Sequence, residues 1–327
     1  MLALDMSTGL ATFIAQRLAA ALLTLAGAIV FLFIIIQFVP GDLAGILLGP
    51  RATPALRAEF AQRMGLDRSV PEQAWLFVSN AVRGDLGNDI ISGRAILDMV
   101  LDALPNTLQL AAASLLISVT LGILLGCIAA FKPGSLLDTI LGVTSVAFIT
   151  TPAFVVAIFL LLIFSIELHW LPVTGGGDPG DPLDRLAHLV LPAAALSIGW
   201  IGYLARLIRA SLLEILSEQH VRMMRAYGVS ELRIVCHFAL RLALVPMVAV
   251  MGLGIGDMIS NAVFVEIIFA RPGIGTLIYS GILNRNYPVV QAGILFTVLT
   301  YVSANLFVDM LNALLDPRIA RSLKQAA

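Results

Sequence analysis

The sequence is 327 residues long, 59% of its residues are hydrophobic, only 13% are charged, and its mean hydropathy is +0.96. A soluble domain carries about a quarter charged residues, so this composition excludes a soluble protein and indicates an integral membrane protein. The formal net charge of −1 provides no overall positive field, and nucleic acid is therefore not an expected partner.

The first apolar stretch, residues 18–39, predicts a transmembrane helix that is not cleaved. About 22 apolar residues are enough to cross a bilayer and exceed the roughly 7 to 15 of a secretory signal core. Arg17 precedes the stretch, and no A-x-A cleavage pattern follows it.

The next part, residues 40–104, is mixed in character, and its Pro-Gly and Gly-Asp pairs are turn signals between short helices. We expect it to form a small helical insertion outside the membrane.

Five further apolar stretches predict the remaining transmembrane helices, at residues 106–131, 137–168, 189–213, 238–264 and 289–315. In the first of these, Gly122 and Gly126 have the spacing that lets two helices approach closely. The second is longer than a crossing needs and contains Thr151-Pro152, where a proline can kink the helix. The sequence thus predicts an all-α integral membrane protein with six transmembrane helices and a helical external insertion after the first.

Positively charged residues fall mainly on one side of the predicted membrane. They are Arg17, Lys132, Arg206, Arg209, Arg222, Arg225, Arg233, Arg241, Arg318, Arg321 and Lys324, most of them in or beside the loop at residues 214–237. The short loops on the other side hold Arg185, Arg271 and Arg285. Since short loops rich in lysine and arginine stay in the cytoplasm, we expect both termini and the loop at residues 214–237 to be cytoplasmic.

This basic loop is predicted to contain a short amphipathic helix at the membrane surface. Val221, Met224 and Tyr227 recur at helical spacing, and Gly228 stands where a helix would end in a left-handed cap. An ordinary basic cytoplasmic loop, held inside by its charge, explains the same pattern. The pattern alone leaves open whether this helix contacts a partner.

The same stretch carries a resemblance to a known family. QHVRMMRAYG followed by HFALRLALVP, residues 219–228 and 237–246, resembles the cytoplasmic EAA loop of ATP-binding-cassette (ABC) importer permeases, and most closely that of the B-type permeases of the dipeptide, oligopeptide and nickel group. Further stretches resemble signatures of that group in the same order, at residues 40–42, 65–67, 84–87, 269–275, 284–291 and 309–319. Tyr227 stands where the family usually has lysine, and Met223-Met224 replace the usual Thr-Ala, so the contacts of this helix are expected to differ in detail.

The resemblance implies a function and a set of partners. It implies the type I ABC importer permease fold and a membrane-spanning, non-catalytic subunit that forms half of the translocation pathway for di- and oligopeptides. The implied partners are a second, homologous permease in a heterodimer, two ABC ATPase subunits that hold ATP and Mg²⁺, and an external solute-binding protein, all at the bacterial cytoplasmic (inner) membrane. The residues that match the family's ATPase-coupling loop are Val221, Arg222, Met224, Arg225, Ala226, Tyr227 and Gly228.

Ionisable residues inside the predicted spans are candidates for function. Asp257 lies well inside the fifth span, where a charge costs at least about 2.5 kcal/mol, so it should face a polar interior or a partner. Ser260 and Asn261 share its helix face. One hypothesis is that this stripe lines the translocation pathway and meets a cationic part of the substrate; the alternative is an interface with the second permease. For Glu266 a structural role or a substrate contact is possible, and for Asp309 we expect a cytoplasmic arginine as partner.

Residue patterns for other chemistry are absent from the sequence. Cys127 and Cys236 lack CxxC spacing and the histidines lack HExxH spacing, so we expect no disulfide, metal or cofactor site in this chain. No G-x-x-x-x-G-K-[ST] loop occurs, so ATP would have to bind a partner. The missing HExxH and G-x-S-x-G motifs argue against an intramembrane protease. The run GLGIG lies in an apolar stretch and predicts close helix packing through Gly252 and Gly256.

The substrate and the external contacts stay open at the level of sequence. An acidic stripe suits nickel, a metal chelate or glutathione as well as a peptide amine. An ATP-independent carrier is the alternative from another class, although the internal inverted repeats usual in carriers are not evident. Residues 40–104 and 175–184 are expected to be external, and we expect the solute-binding protein to contact them. The apolar spans imply membrane lipid around the rest.

Overall fold

A computed structural model describes residues 2–38, 53–55 and 68–315 of the chain, without the side chains of residues 2–13, 36–38 and 311–315. Several sequence features therefore lie outside the described residues. They are the family signatures at residues 40–42 and 65–67, the end of the signature at 309–319, and the tail charges Arg318, Arg321 and Lys324.

The described residues are almost entirely helical. The helices are α1 (Leu2–Phe38), α2 (Val70–Val82), α3 (Ile96–Phe131), α4 (Leu136–Thr150), α5 (Ala153–Glu167), α6 (Pro182–Leu216), α7 (Gln219–Ala226), α8 (Glu231–Ile268), α9 (Ile274–Leu283) and α10 (Tyr287–Leu315). Two of them contain a π-helical stretch, Leu161–Glu167 in α5 and Ile234–Ala239 in α8. The predicted all-α class is confirmed.

Five of the described helices are long and apolar enough to cross a membrane, namely α1, α3, α6, α8 and α10. A sixth span is formed by α4 and α5 together if they make one broken crossing. The two helices meet at 104°, so the predicted span at residues 137–168 is not a single kinked helix. Thr151 is extended, with φ −87 and ψ 120, because a residue before proline avoids the helical region, and Pro152 caps the next helix.

Several helices extend beyond the spans predicted from hydrophobicity. Residues 96–104, assigned to the external insertion, form the first turns of α3, and residues 231–237, assigned to the basic loop, begin α8. With 36 residues, α3 is about 54 Å long, which exceeds a hydrocarbon core of about 30 Å. Its first turns therefore continue past the apolar layer, where hydropathy gives no signal.

Helix α6 lies at the centre of the bundle and packs closely against α3. A Cβ added to Gly122 would lie 2.7 Å from the Cβ of Leu204, and one added to Gly126 would lie 2.8 Å from the carbonyl oxygen of Ala205. The close helix contact predicted for these two glycines is confirmed. On its other side α6 meets α4, where a Cβ on Gly202 would lie 2.7 Å from a backbone oxygen.

Helices α1 and α2 pack at the side of the bundle. Phe33 of α1 meets Phe77 of α2 edge to face, with ring centroids 5.6 Å apart. Near the other end of α1, Arg17 Nε lies 3.3 Å from Asp309 Oδ2 of α10, so the expected arginine partner of Asp309 is confirmed. The loop before α3 is tied to the α9–α10 turn, because Asp89 accepts a hydrogen bond from Asn286.

Candidate functional site

The predicted cytoplasmic helix corresponds to α7, which ends as expected. Gly228 has φ +79, and its N–H donates to the carbonyl of Arg225 at 3.0 Å, while the N–H of Val229 donates to the carbonyl of Met224 at 3.1 Å. This is a left-handed cap that glycine adopts without strain. The predicted role of Gly228 in ending the helix is confirmed.

One residue anchors α7 to the rest of the molecule. Val221 is 1% exposed and Met224 is half-buried, whereas Arg222 and Ala226 are exposed. Tyr227 is 82% exposed and does not share the packed face that its spacing predicted. The reason is that Tyr227 is the C-cap residue, with φ −79 and ψ 2, and lies past the last helical turn.

Arg225 fixes the direction of α7. Its guanidinium donates to both carboxylate oxygens of Glu231, at 2.5 and 3.3 Å, and to the carbonyl of Leu216 at 3.3 Å. The hydrogen bond to Glu231 raises the pKa of Arg225 above its ordinary value. Arg225 thus joins the end of α6, helix α7 and the start of α8.

The second predicted site centres on Asp257, in the second half of α8. Its Oδ2 accepts a hydrogen bond from Trp200 Nε1 at 2.9 Å, and its Oδ1 accepts one from Asn261 Nδ2 at 3.0 Å. Ser260 is turned away and donates to the carbonyl of Gly256 at 3.0 Å. The structure therefore brings Asp257 and Asn261 together, adds Trp200, and leaves Ser260 bonded to its own helix.

Glycines in α8 make this arrangement possible. A Cβ on Gly254 would lie 3.1 Å from the Trp200 ring, so the missing side chain lets the indole reach Asp257. A Cβ on Gly256 would collide with the ring of Tyr301, and one on Gly252 would lie 3.2 Å from Asn305 of α10. The helix packing predicted for Gly252 and Gly256 is confirmed.

Asp257 lies on an open face of the single chain. It is exposed, and so are Leu253 and Phe264, one turn before it and two turns after it on α8. A carboxylate at this depth of a span does not face lipid tails without a large cost. The face must therefore meet water or another protein surface. A translocation pathway would supply water and a second permease would supply a protein surface, so both hypotheses for Asp257 satisfy this requirement.

Sequence reasoning missed an ion pair between α4 and α6. Arg209 Nε lies 2.5 Å from Asp138 Oδ1, a second guanidinium nitrogen donates to Oδ2 at 2.7 Å, and Asp138 also accepts the N–H of Gly134 at 2.9 Å. Arg206 and Arg209 were counted with the basic loop, but both lie within α6. The available signal was Asp138 itself, an acidic residue at the edge of an apolar span, which needs a partner.

Glu266 is a structural residue in this structure. It is 0% exposed and accepts hydrogen bonds from Thr107 Oγ1 at 2.6 Å and from the N–H of Gly275 at 2.7 Å. Gly273 lies directly against its carboxylate, where any Cβ would collide. Burial lowers the pKa of the nearby Arg271, and the charge of Glu266 opposes that effect. Glu266 is buried in this structure, and its carboxylate binds the loop after α8.

The loop between α5 and α6 is folded onto this same region. The N–H of Gly175 donates to the carbonyl of Phe269 at 2.8 Å, and a Cβ on Gly176 would lie 3.0 Å from Pro272. Asp181 caps the start of α6 by accepting the N–H of Leu183 at 2.9 Å. Within the described residues, no group of three or more His, Cys, Asp or Glu side chains could hold a metal ion.

Comparisons with known proteins match the chain over nearly its whole length. The family model of the binding-protein-dependent transport system inner membrane component matches residues 122–321, and the model of the N-terminal part of such membrane components matches residues 10–111. A chain from inward-facing structures of the MetNI methionine ABC transporter aligns over 69% of this chain and 96% of its own length, at 16% identity and a TM-score of 0.49.

The curated relatives are identical to this chain at about one residue in three. A probable peptide ABC transporter permease of Sinorhizobium fredii, y4tP, is 34% identical over 308 residues. The di/tripeptide permease DppB of Pseudomonas aeruginosa is 36% identical over 330 residues, and the glutathione permease GsiC of Shigella flexneri is 36% identical over 307 residues. Each alignment covers 94% of this chain and 98% of the relative. The chain therefore belongs to the family of binding-protein-dependent transport system inner membrane components, among the permeases that resemble DppB.

Proposed function

We propose that this chain is the non-catalytic permease subunit that forms half of the translocation pathway of an ABC importer for di- and oligopeptides, with the type I permease fold. The curated relatives named above include two peptide permeases that it matches over 94% of its length. The observation that carries the proposal is helix α7, whose buried Val221 and bridging Arg225 leave Arg222 and Tyr227 free to contact another subunit.

The proposed assembly has partners on both sides of the inner membrane. Two ATPase subunits that hold ATP and Mg²⁺ would contact α7 in the cytoplasm, and a second, homologous permease would complete the pathway. A solute-binding protein would dock outside, on residues 40–104 and 175–184. The positive-inside rule supports cytoplasmic termini for this arrangement. No cofactor is proposed for this chain itself.

The mechanism follows from how α7 is attached. Closure of the ATPases on ATP would displace α7, and Arg225 would pass the movement to the end of α6 and the start of α8 through its contacts with Leu216 and Glu231. Trp200 of α6 and Asp257 of α8 are joined at 2.9 Å, so a relative movement of these two helices changes the surface around Asp257. Hydrolysis would then return the helices to their starting arrangement.

The proposal is tested by purification followed by a transport assay. The chain, tagged at its C terminus, is extracted gently from its own membrane, and co-purifying proteins are identified by mass spectrometry. We expect a P-loop ATPase and a second permease, and the reconstituted complex with its binding protein should import a labelled dipeptide in the presence of ATP. A chain that purifies alone and moves solute without ATP would instead be a self-sufficient carrier.

Glutathione is the second candidate substrate, since the 36% identity to GsiC equals that to DppB. The two candidates separate in a competition assay in which excess glutathione is added to dipeptide import by the same vesicles. Competition no stronger than that of a non-substrate amino acid favours peptides. Nickel or a metal chelate is not the substrate of any relative named above, and it is tested in the same assay by adding the nickel chelate as competitor.

A further inference from the structure

Opposite charges lie at the two ends of a row of four side chains on α6 and α8. We call it the charged groove, and it consists of Asp257 on α8 and Trp200, Tyr203 and Arg206 on α6. Trp200 donates to Asp257 at 2.9 Å, and its ring meets that of Tyr203 edge to face with centroids 5.3 Å apart. Tyr203 and Arg206 are exposed one turn apart, so an aromatic surface connects an acidic end to a basic end.

Arg206 is the uncompensated charge at the basic end. Its neighbour Arg209 is neutralised by both carboxylate oxygens of Asp138, whereas Arg206 makes no ion pair or hydrogen bond through its side chain within the described part of the chain. Arg206 and Tyr203 line a cavity of about 770 Å³ between α4 and α6. Neither Asp257 nor Trp200 lines this cavity, so it adjoins the groove at its basic end only.

Arg206 lies toward the cytoplasmic end of its span and has no ion-pair partner within the described residues. It lies ten residues before the end of α6 at Leu216, which is about 15 Å along the helix. Charged side chains inside a span pair with one another or face water. A guanidinium at this depth with no partner of its own is suited to receive a carboxylate, because the planar group donates two parallel hydrogen bonds to both oxygens.

We propose that the charged groove binds the two ends of a short peptide during translocation. The carboxylate of Asp257 receives the protonated amino terminus, the guanidinium of Arg206 receives the terminal carboxylate, and Trp200 and Tyr203 support the backbone between them. This inference rests on the proposed function, because it names how the imported peptide is held.

The dimensions agree with a short peptide. Trp200 and Arg206 are six residues apart on α6, which separates their attachment points by about 9 Å along the axis. An extended peptide spans about 3.3–3.6 Å per residue, so two or three residues cover about 7–11 Å. The groove is therefore expected to favour di- and tripeptides with free termini. With α6 entering from outside, the carboxyl end points toward the cytoplasm.

The first test asks whether the groove faces water and substrate. In a background carrying Cys127→Ala and Cys236→Ala, Leu253→Cys, one turn before Asp257 on α8, and Ala210→Cys, one turn after Arg206 on α6, are made separately and assembled into the complete importer, so that both charges of the groove are kept. Inside-out vesicles without nucleotide are treated with a cationic, membrane-impermeant methanethiosulfonate. We expect both positions to react, and saturating dipeptide to slow each reaction several-fold. Leu116→Cys, on an exposed apolar position of α3, is the matched control and should not react.

The labelling outcomes decide between the occupants of this face. No reaction at either position, together with weaker retention of the second permease, would overturn the proposal in favour of a permease interface. Reaction without protection by dipeptide would show a water-filled surface that does not bind the peptide, and would also overturn it.

The second test is transport by charge variants. Arg206→Gln is expected to lower dipeptide import about ten-fold, the order of a lost charged hydrogen bond, while Arg206→Lys keeps most of it. Retention of the ATPases and the second permease by each variant shows that the importer has assembled. Import by Arg206→Gln equal to that of the unmodified importer overturns the groove and leaves peptide import intact. No peptide import by the unmodified importer would instead refute the proposed function.

Discussion

Thr107 links two parts of the chain that are far apart in sequence. Its Oγ1 donates to Glu266 at 2.6 Å and accepts the N–H of Ile274 at 2.9 Å, all in the buried interior. Thr107→Val keeps the shape of the side chain but leaves a buried N–H and a buried carboxylate each without one partner. We expect the free energy of unfolding to fall by about 1–3 kcal/mol. Thermal melting of the purified permease in detergent measures the change.

The matched control for this substitution is Thr24→Val. Thr24 is exposed on α1, and its hydroxyl donates to the carbonyl of Ala20 in its own helix at 2.9 Å. A substitution at an exposed position changes the free energy of unfolding by about 0.5 kcal/mol or less. Equal melting temperatures for the two variants would contradict the structural role assigned to Thr107 and Glu266.

A contact between two residues could be predicted from the sequence only where the two residues lie close together in the chain. Asp257 and Asn261 lie four residues apart on one helix, so their shared face could be read from spacing. The bond from Trp200 joins residues 57 apart, and the Arg209–Asp138 pair joins residues 71 apart. Such pairs depend on how helices pack, which one sequence does not specify. Composition alone could say that each buried or membrane-embedded charge needs some partner.

At the level of elements, the contact between α3 and α6 depends on a missing side chain. Gly126 lies against the backbone of α6, and a Cβ there would come within 2.8 Å of the Ala205 carbonyl oxygen. Backbone cannot move aside as the end of a flexible side chain can. Gly126→Ala should therefore push the two helices apart and lower the free energy of unfolding by about 1–3 kcal/mol. The melting temperature of the assembled permease reports the loss.

Gly27→Ala is the comparison for this prediction. Gly27 lies inside helix α1 with nothing within 4 Å of an added Cβ. Alanine in a helix interior is more favourable than glycine by about 0.5–1 kcal/mol, so this variant should melt at the same or a higher temperature. A drop for Gly27→Ala as large as that for Gly126→Ala would mean that the effect is not specific to the α3–α6 contact.

Helix α7 gives a prediction about coupling. Tyr227 is 82% exposed, and its removal takes nothing from the packing of this chain. Exposed tyrosines often dominate a protein interface, with losses of about 2 kcal/mol or more on truncation. Tyr227→Ala should therefore weaken retention of the ATPase subunits on the tagged permease about ten-fold or more and lower import in proportion. Quantitative mass spectrometry of the purified complex gives the ratio.

The control for this prediction removes an exposed aromatic side chain that is not part of α7. Trp75 of α2 is 73% exposed and belongs to the segment predicted to lie outside the membrane. Trp75→Ala should leave ATPase retention unchanged. Full retention by Tyr227→Ala would show that α7 contacts the ATPases through other residues, or not at all.

The predicted helices were accurate where the sequence signal was local. Hydropathy located the apolar centre of every span, and Gly228 identified the end of α7, because both signals are local. The predicted span at residues 137–168 was wrong in one respect, since Thr151-Pro152 turns the chain by 104°. Proline shows where a helix is interrupted, but the packing of α4 and α5 against α6 sets the angle. The packed face predicted for Tyr227 failed for a similar reason, because the helix ended one residue earlier.

At the scale of the whole molecule, the described helices leave one polar face uncovered. Asp257 and Arg206 are both exposed on it, although both belong to membrane spans. A permease that worked alone in lipid would expose the carboxylate of Asp257 to the acyl chains. This face is therefore expected to meet water or a partner subunit, which agrees with a family whose members are components of larger transport systems.

The number of crossings also follows from the whole molecule. If α4 and α5 entered and left by the same side of the membrane, Lys132 before α4 and Gly180 after α5 would face the same compartment. Because α6 crosses once, the basic helix α7 would then lie opposite Lys132. The positive-inside rule instead predicts that Lys132 and α7 lie together in the cytoplasm, as they would if α4 and α5 crossed as one broken span. Six crossings and an external Gly180 are the expected result.

Cysteine labelling from each side tests this topology. In the variant that carries Cys127→Ala and Cys236→Ala, a membrane-impermeant maleimide should react with Lys132→Cys and Tyr227→Cys in inside-out vesicles. It should react with Gly180→Cys only in vesicles of the opposite orientation. All three substituted residues are exposed, so failure to react is not explained by burial. Labelling of Lys132→Cys and Gly180→Cys from the same side would show that α4 and α5 form a re-entrant hairpin. If that shared side is the cytoplasmic one, the external docking surface proposed at residues 175–184 would have to be abandoned, because the solute-binding protein could not reach those residues.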